Sequence, residues 1–106
     1  EVTYSVEKPD CEIVTLSSLR EGLGIGTALF SYIETVARAE QCRKLHLITT
    51  SDNLNAIGFY QKRGMRIVGV LIDALDDIRR VKPHIGHIGM NNIPLKDALL
   101  LEKRLT

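Results

Sequence analysis

Three glycines alternate in Arg20-Glu21-Gly22-Leu23-Gly24-Ile25-Gly26-Thr27, directly ahead of a helical apolar period, and this pairing leaves few folds open to the chain. Ile25, Ala28, Leu29, Tyr32, Ile33, Val36 and Ala37 recur at helical spacing, which predicts an amphipathic helix of about four turns. A helix of that kind stays formed only when its stripe packs on something. The flanking runs Cys11 to Leu19 and Lys44 to Thr50, rich in Ile, Val, Leu and Thr, predict buried strands that supply the surface. The unit is strand, glycine loop, helix, strand, an α/β arrangement. Glycines let a backbone approach a ligand closely, and the first amides of the following helix are unpaired, so a phosphate or pyrophosphate suits the loop.

Several sites use such a unit. A P-loop needs Lys-Ser/Thr after its last glycine, but Thr27 and Ala28 follow Gly26. A dinucleotide fingerprint needs its third glycine where Thr27 stands, and an acidic residue closing the second strand, which instead ends in Thr49-Thr50. The glycines can also be read as nothing more than a tight strand-to-helix turn.

The next stretch, Ser51-Asp52-Asn53-Leu54-Asn55-Ala56-Ile57-Gly58-Phe59-Tyr60-Gln61-Lys62-Arg63-Gly64-Met65, predicts a short helix. Ser51 or Asp52 can cap it, and Gly64 can end it in a left-handed conformation. Asn53 stands at the entry, and Tyr60 lies nearly two turns along the same face. Taken alone, Asn53 is also a simple cap, and Tyr60 an ordinary buried aromatic.

Gly24-x-Gly26 on a strand-to-helix turn, followed by Asn53-x-x-Ala56-x-x-Phe59-Tyr60-x-x-x-Gly64-Met65, resembles the GCN5-related N-acetyltransferase (GNAT) superfamily over about residues 11–70. The resemblance implies an α/β (α+β) fold with a mixed sheet, the acyl-CoA N-acyltransferase fold, in one domain spanning residues 1–106. Residues 11–70 would be its acetyl-CoA core and residues 71–106 its acceptor side. It also implies that acetyl-CoA is the acyl donor. The pyrophosphate would lie on the amides of Gly22, Leu23, Gly24, Ile25, Gly26 and Thr27, the pantetheine arm would pair with backbone near Leu16, and Asn53 would contact that arm. Tyr60 would stand near the thioester sulfur as general acid, a role a phenol can fill as negative charge leaves on sulfur. Two positions depart from the family pattern. Glu21 stands where Arg or Gln is common, and Ile48 where some members carry a glutamate base. Glu12, on the strand before the loop, is the carboxylate left as candidate base, although a surface-facing strand glutamate is the more ordinary reading of that position.

In this family the opening hairpin, here Glu1 to Val6 turning at Lys8-Pro9-Asp10, follows a strand and two helices. The resemblance therefore implies an N-terminally short form with an open sheet edge and an exposed apolar face. Both favour a homodimer, possibly with exchanged strands. Beyond Val70, Asp73 is expected to cap a helix through Lys82 before Pro83 stops it. Pro83 to Pro94 reads as turns, the place where this family's late loops shape the acceptor site, and Ala98 to Arg104 as the last strand.

With 14 Lys and Arg against 13 Asp and Glu, the net charge of +1 predicts no nucleic-acid footprint. The isolated Cys11 and Cys42 predict reduced thiols and a cytoplasmic protein, and no run is long enough for a membrane span. His46, flanked by Leu45 and Leu47, reads as facing the other side of its strand. His84 and His87 lack a third ligand, so no metal site is expected. Three function classes follow: an N-acetyltransferase acting on a small-molecule or peptide amine, an inactive acyl-CoA-binding or dimerisation module, and an interaction domain with a structural glycine loop.

Overall fold

A computed structural model describes residues 2–7, 10–16 and 25–105, with side chains from Ala28 onward. Its elements are β1 (Val2–Glu7), β2 (Asp10–Leu16), α1 (Ile25–Ala39), β3 (Lys44–Thr50), α2 (Leu54–Lys62), β4 (Arg66–Leu71), α3 (Ala74–Val81) and β5 (Ala98–Arg104). A 3-10 turn occupies Met90–Asn92. The strands form a mixed sheet in the order β1-β2-β3-β5-β4. The chain divides into two compact units, Glu1–Leu47 with Glu102–Thr106, and Ile48–Leu101, the boundaries falling within β3 and at the Leu101–Glu102 step of β5.

In the first unit, β1 and β2 form the expected antiparallel hairpin, from Val2↔Leu16 to Glu7↔Asp10, with an irregularity between Thr3 and Tyr4. The parallel pairing of β2 with β3 covers Asp10↔Lys44, Cys11↔Leu45 and Glu12↔His46. From Ile13 onward, the pairs β2 makes among the described residues are with β1. On β3, Leu45 and Leu47 are buried and His46 between them is half-buried, the alternation its flanking leucines predict.

Helix α1 begins at Ile25, but its buried face differs from the expected stripe. Phe30, Ile33 and Ala37 are buried, whereas Ala28 and Tyr32 are exposed, Tyr32 by 59%. Seven apolar positions cover more arc than one contact can bury, and packing selects the side centred on Ile33 and brings in Phe30. Burying a side chain the size of Phe30 or Ile33 contributes about 1.5–3 kcal/mol. Beyond the helix end at Ala39, Gln41 takes a left-handed φ of 62°, with the Cys42 amide donating to the Ala37 carbonyl at 2.9 Å. Cys42 is buried and disulfide-bonded, so the expectation of a free thiol at this position is corrected. Distance along the chain is no guide to isolation in space.

Glu34 anchors the charged side of this unit. Arg38 Nη2 and Lys103 Nζ each donate to its carboxylate at 2.8 Å. Partial burial raises its pKa, but the two cations outweigh burial and hold it below the ordinary value. Lys44 Nζ donates to Glu102 at 2.8 Å, and Arg38 Nη1 to the Leu105 carbonyl at 2.7 Å.

The second unit contains α2, β4, α3 and a hairpin of residues 87–95, closed by bonds from the Gly89 amide to the Ile93 carbonyl and from the Leu95 amide to the His87 carbonyl. Asp73 precedes α3 but does not cap it. Its φ of 61° is left-handed, whereas a capping side chain needs extended backbone, and its carboxylate instead lies 3.4 Å from Lys96 Nζ. Arg79 donates to Asp76 at 2.8 Å and to the carbonyls of Ile85, Gly86 and Leu95, tying the end of α3 to the hairpin. Strand β4 ends the sheet order, and Ile67, Val68, Val70 and Leu71 are all exposed, as is Ile72 just beyond it.

Candidate functional site

Helix α2 opens at Asn53, whose Oδ1 accepts from the Ala56 amide at 3.2 Å. Asn53 is therefore the cap, where the sequence favoured Ser51 or Asp52. The cap uses its oxygen and leaves the Nδ2 donor for another partner. At the far end Arg63 closes the helix, and Gly64 follows with a φ of 96°, the left-handed glycine that the sequence predicted.

Tyr60 is the buried residue of α2, only 6% exposed. Its ring meets Phe59 edge-on at 5.4 Å between centroids, and the Arg63 guanidinium covers the other aromatic at 3.7 Å. Burial pushes the Tyr60 phenol up to about 12. The group is a protonated donor at any physiological pH.

From the sequence Asp52 reads only as a possible cap. It is instead the buried charged residue among those described, 2% exposed. Its Oδ2 accepts from the Met90 amide at 2.8 Å, and its backbone carbonyl accepts from Asn91 Nδ2 at 3.1 Å. Asp52 Oδ1 is buried without a hydrogen-bond partner. The turn-forming composition of residues 83–94 predicted loops there, but no local pattern tied that segment to position 52.

The remaining sequence-derived positions are less completely placed. Gly22, Leu23 and Gly24 lie outside the described residues, while Ile25, Gly26 and Thr27 form the first turn of α1. Leu16 ends β2 opposite Val2, and Glu12 lies on β2 with its backbone paired to Ser5 and His46; the side chains of both are outside the described ones. Ile48, at the position of the family's glutamate, is exposed. His84 and His87 are exposed, and no group of three metal-binding side chains occurs among the described residues. No described helix is long and apolar enough to cross a membrane.

The described elements, strand β2, helix α1 opening at Ile25, and helix α2 with Asn53 at its cap and Tyr60 buried, are the ones an acyltransferase would use. Residues 7–65 match the model of the acetyltransferase (GNAT) family, and the chain belongs to that family. It is 44% identical over 102 residues to the uncharacterized protein YdhI of Bacillus subtilis and 43% identical over 104 residues to the uncharacterized protein YxbD of the same organism. The matches cover 96% and 98% of this chain but 64% and 65% of those relatives, so the chain spans just under two thirds of their length.

The fold is that of solved acetyltransferases. A Bacillus subtilis acetyltransferase in complex with CoA superposes with a TM-score of 0.81 at 20% identity, covering 99% of this chain and 68% of that one. A GNAT family acetyltransferase from Elizabethkingia anophelis with acetyl-CoA bound gives 0.78 at 24% identity, covering 93% and 63%.

Proposed function

We propose that this chain carries the acetyl-CoA site of an N-acetyltransferase that transfers acetyl to an amine of a small molecule or peptide. The observation that carries this reading is Tyr60: a buried phenol, its pKa raised by desolvation, on the helix that Asn53 caps. The amine nitrogen attacks the thioester carbonyl, the tetrahedral intermediate collapses with loss of the C–S bond, and Tyr60 gives its proton to the departing sulfur. The phenol is then reprotonated from solvent. The amine loses its proton to Glu12 or to water; Ile48 offers no base.

For the cofactor, Gly22, Leu23, Gly24, Ile25, Gly26 and Thr27 would receive the pyrophosphate on unpaired amides at the start of α1. Backbone near Leu16 would pair with the pantetheine arm. That β2 pairs with β1 beyond Ile13 and with β3 only up to Glu12, among described residues, supports a free edge for it. The Nδ2 of Asn53 would donate to a pantetheine carbonyl.

Calorimetry with acetyl-CoA tests the site on the wild type and on Gly24→Asp, whose side chain and charge would occupy the cradle. Binding by the wild type that the variant loses supports it. Release of free CoA thiol with a panel of amines then tests turnover, and Tyr60→Phe should lower kcat by about 10²–10⁴ with acetyl-CoA affinity retained. Binding without turnover would select the inactive acyl-CoA-binding module, and no binding at all the interaction domain.

The exposed apolar residues of β4 also support a homodimer. An antiparallel pairing of β4 with its copy would place Arg66 of each chain toward the Asp73 end of the other, unlike charges together. Light scattering of the full chain tests this, and a monodisperse monomer would count against it.

A further inference from the structure

Asp52 poses a question that the reaction does not answer. A carboxylate removed from water loses its hydration, and one oxygen left without a donor is a cost that packing alone gives no reason to retain. The other oxygen has a defined task. It holds the Met90 amide at the tip of the 87–95 hairpin, while the Asp52 carbonyl holds the Asn91 side chain beside it. The fit admits nothing larger. A Cβ on Gly89 would stand 2.1 Å from Asp52 Oδ2 and 2.7 Å from its Cγ, so only glycine lets the tip close on the carboxylate. Asn91 and Asn92 both take left-handed φ, 59° and 58°, to complete the turn. Strained backbone persists where its surroundings over-determine it. Directly next to Asp52 in the chain is Asn53, the cap of the helix that buries Tyr60.

We propose that Asp52 is a positioning residue: its buried carboxylate latches the tip of the 87–95 hairpin to the turn that opens α2, and so sets where Ile88 and Met90 stand relative to Asn53 and Tyr60. Both apolar side chains are exposed on this hairpin, at 61% and 50%, and they would wall the approach of an amine where the 83–94 turns shape the acceptor side as the family resemblance implies. The effect on turnover rests on the acetyltransferase reading; the latch itself does not.

Amide hydrogen exchange on the full chain tests the latch without any ligand. Asp52→Ala should speed exchange of the residue 89–92 amides by about tenfold or more, while Asp52→Asn, whose amide oxygen still accepts from Met90, should stay within about threefold of wild type. Unchanged exchange in Asp52→Ala overturns the proposal. Should that variant fail to fold, Gly89→Ala forces the tip from the carboxylate and takes the same readout.

Kinetics test the positioning with an amine that the wild type turns over. Asp52→Ala should raise the KM for the amine about tenfold, with kcat and acetyl-CoA Kd within about twofold and Asp52→Asn restoring the wild-type value. A uniform loss of kcat, acetyl-CoA binding and stability overturns positioning in favour of a merely structural role. Absence of turnover by the wild type defeats the acetyltransferase reading and with it the effect on KM, and the exchange result alone then decides the latch.

Discussion

Strands β3 and β4 are both rich in β-branched and leucine side chains, and as sequences they promise the same environment. In the fold they diverge. Leu45 and Leu47 of β3 are buried, with Lys44 and His46 half-exposed and only Ile48 among its apolar residues open to solvent, while β4 ends the sheet order with Ile67, Val68, Val70 and Leu71 all open. Apolar composition makes a strand possible; its place in the sheet order decides what that strand does with its side chains. An inner strand has partners on both edges, whereas the last strand in the order has one, so among the described residues β4 leaves an edge and its apolar groups open.

The largest effect should come from truncating the inner strand. Leu45→Ala is expected to cost about 2–5 kcal/mol in urea denaturation, against less than about 1 kcal/mol for Val70→Ala in dilute protein. If β4 pairs with a second copy, the Val70→Ala cost should grow with protein concentration, and that dependence would turn the contrast into a measure of the interface. Equal costs at all concentrations would erase the contrast.

Burial beside the sheet can be read through pH. The Tyr60 phenol titrates near 10 in the unfolded chain and at about 12 in the fold. Between these values the unfolded state sheds its proton and the folded state keeps it, so stability should fall as pH rises through 10 to 12, by no more than about 3 kcal/mol. Tyr60→Phe should remove that part of the slope.

Next in size is Gly89→Ala, where the new methyl must displace the hairpin tip or Asp52; about 1–3 kcal/mol of destabilisation by thermal melting is expected. Smallest is Glu34→Gln on the solvated side of the first unit, below about 1 kcal/mol. Because the two cations hold the Glu34 pKa below its ordinary value, its contribution is present above that value and is lost as pH falls through the lowered one. Acid titration of stability in wild type and Glu34→Gln checks this.

What the sequence disclosed follows from the range of the forces involved. The start of α1 at Ile25, the glycine with positive φ at Gly64, and β5 from Ala98 to Arg104 are written in local periodicity and turn chemistry, and each is found where expected. Phe30 replacing Tyr32 in the buried face, the failure of Asp73 to cap, and the disulfide at Cys42 depend on neighbours remote in the chain. The same division runs through the candidate site. Asn53 and Tyr60 were legible because one short helix carries both. The role of Asp52 is not legible because its partner lies in a turn 38 residues away, which no local pattern records.

Arg79 fixes the segment after α3 through its backbone, its guanidinium donating to the carbonyls of Ile85, Gly86 and Leu95. A clamp that reads only peptide groups is indifferent to which side chains hang from them and intolerant of a changed count. Evolution can therefore rewrite the exposed side chains between those three carbonyls, Gly89 and Asn91 excepted because Asp52 holds them, as one changes the letters on a ring of fixed circumference, whereas a single insertion or deletion would break the ring. A library of substitutions at exposed positions 87, 88 and 90 should yield folded proteins in plenty, and one of single-residue insertions at the same places very few.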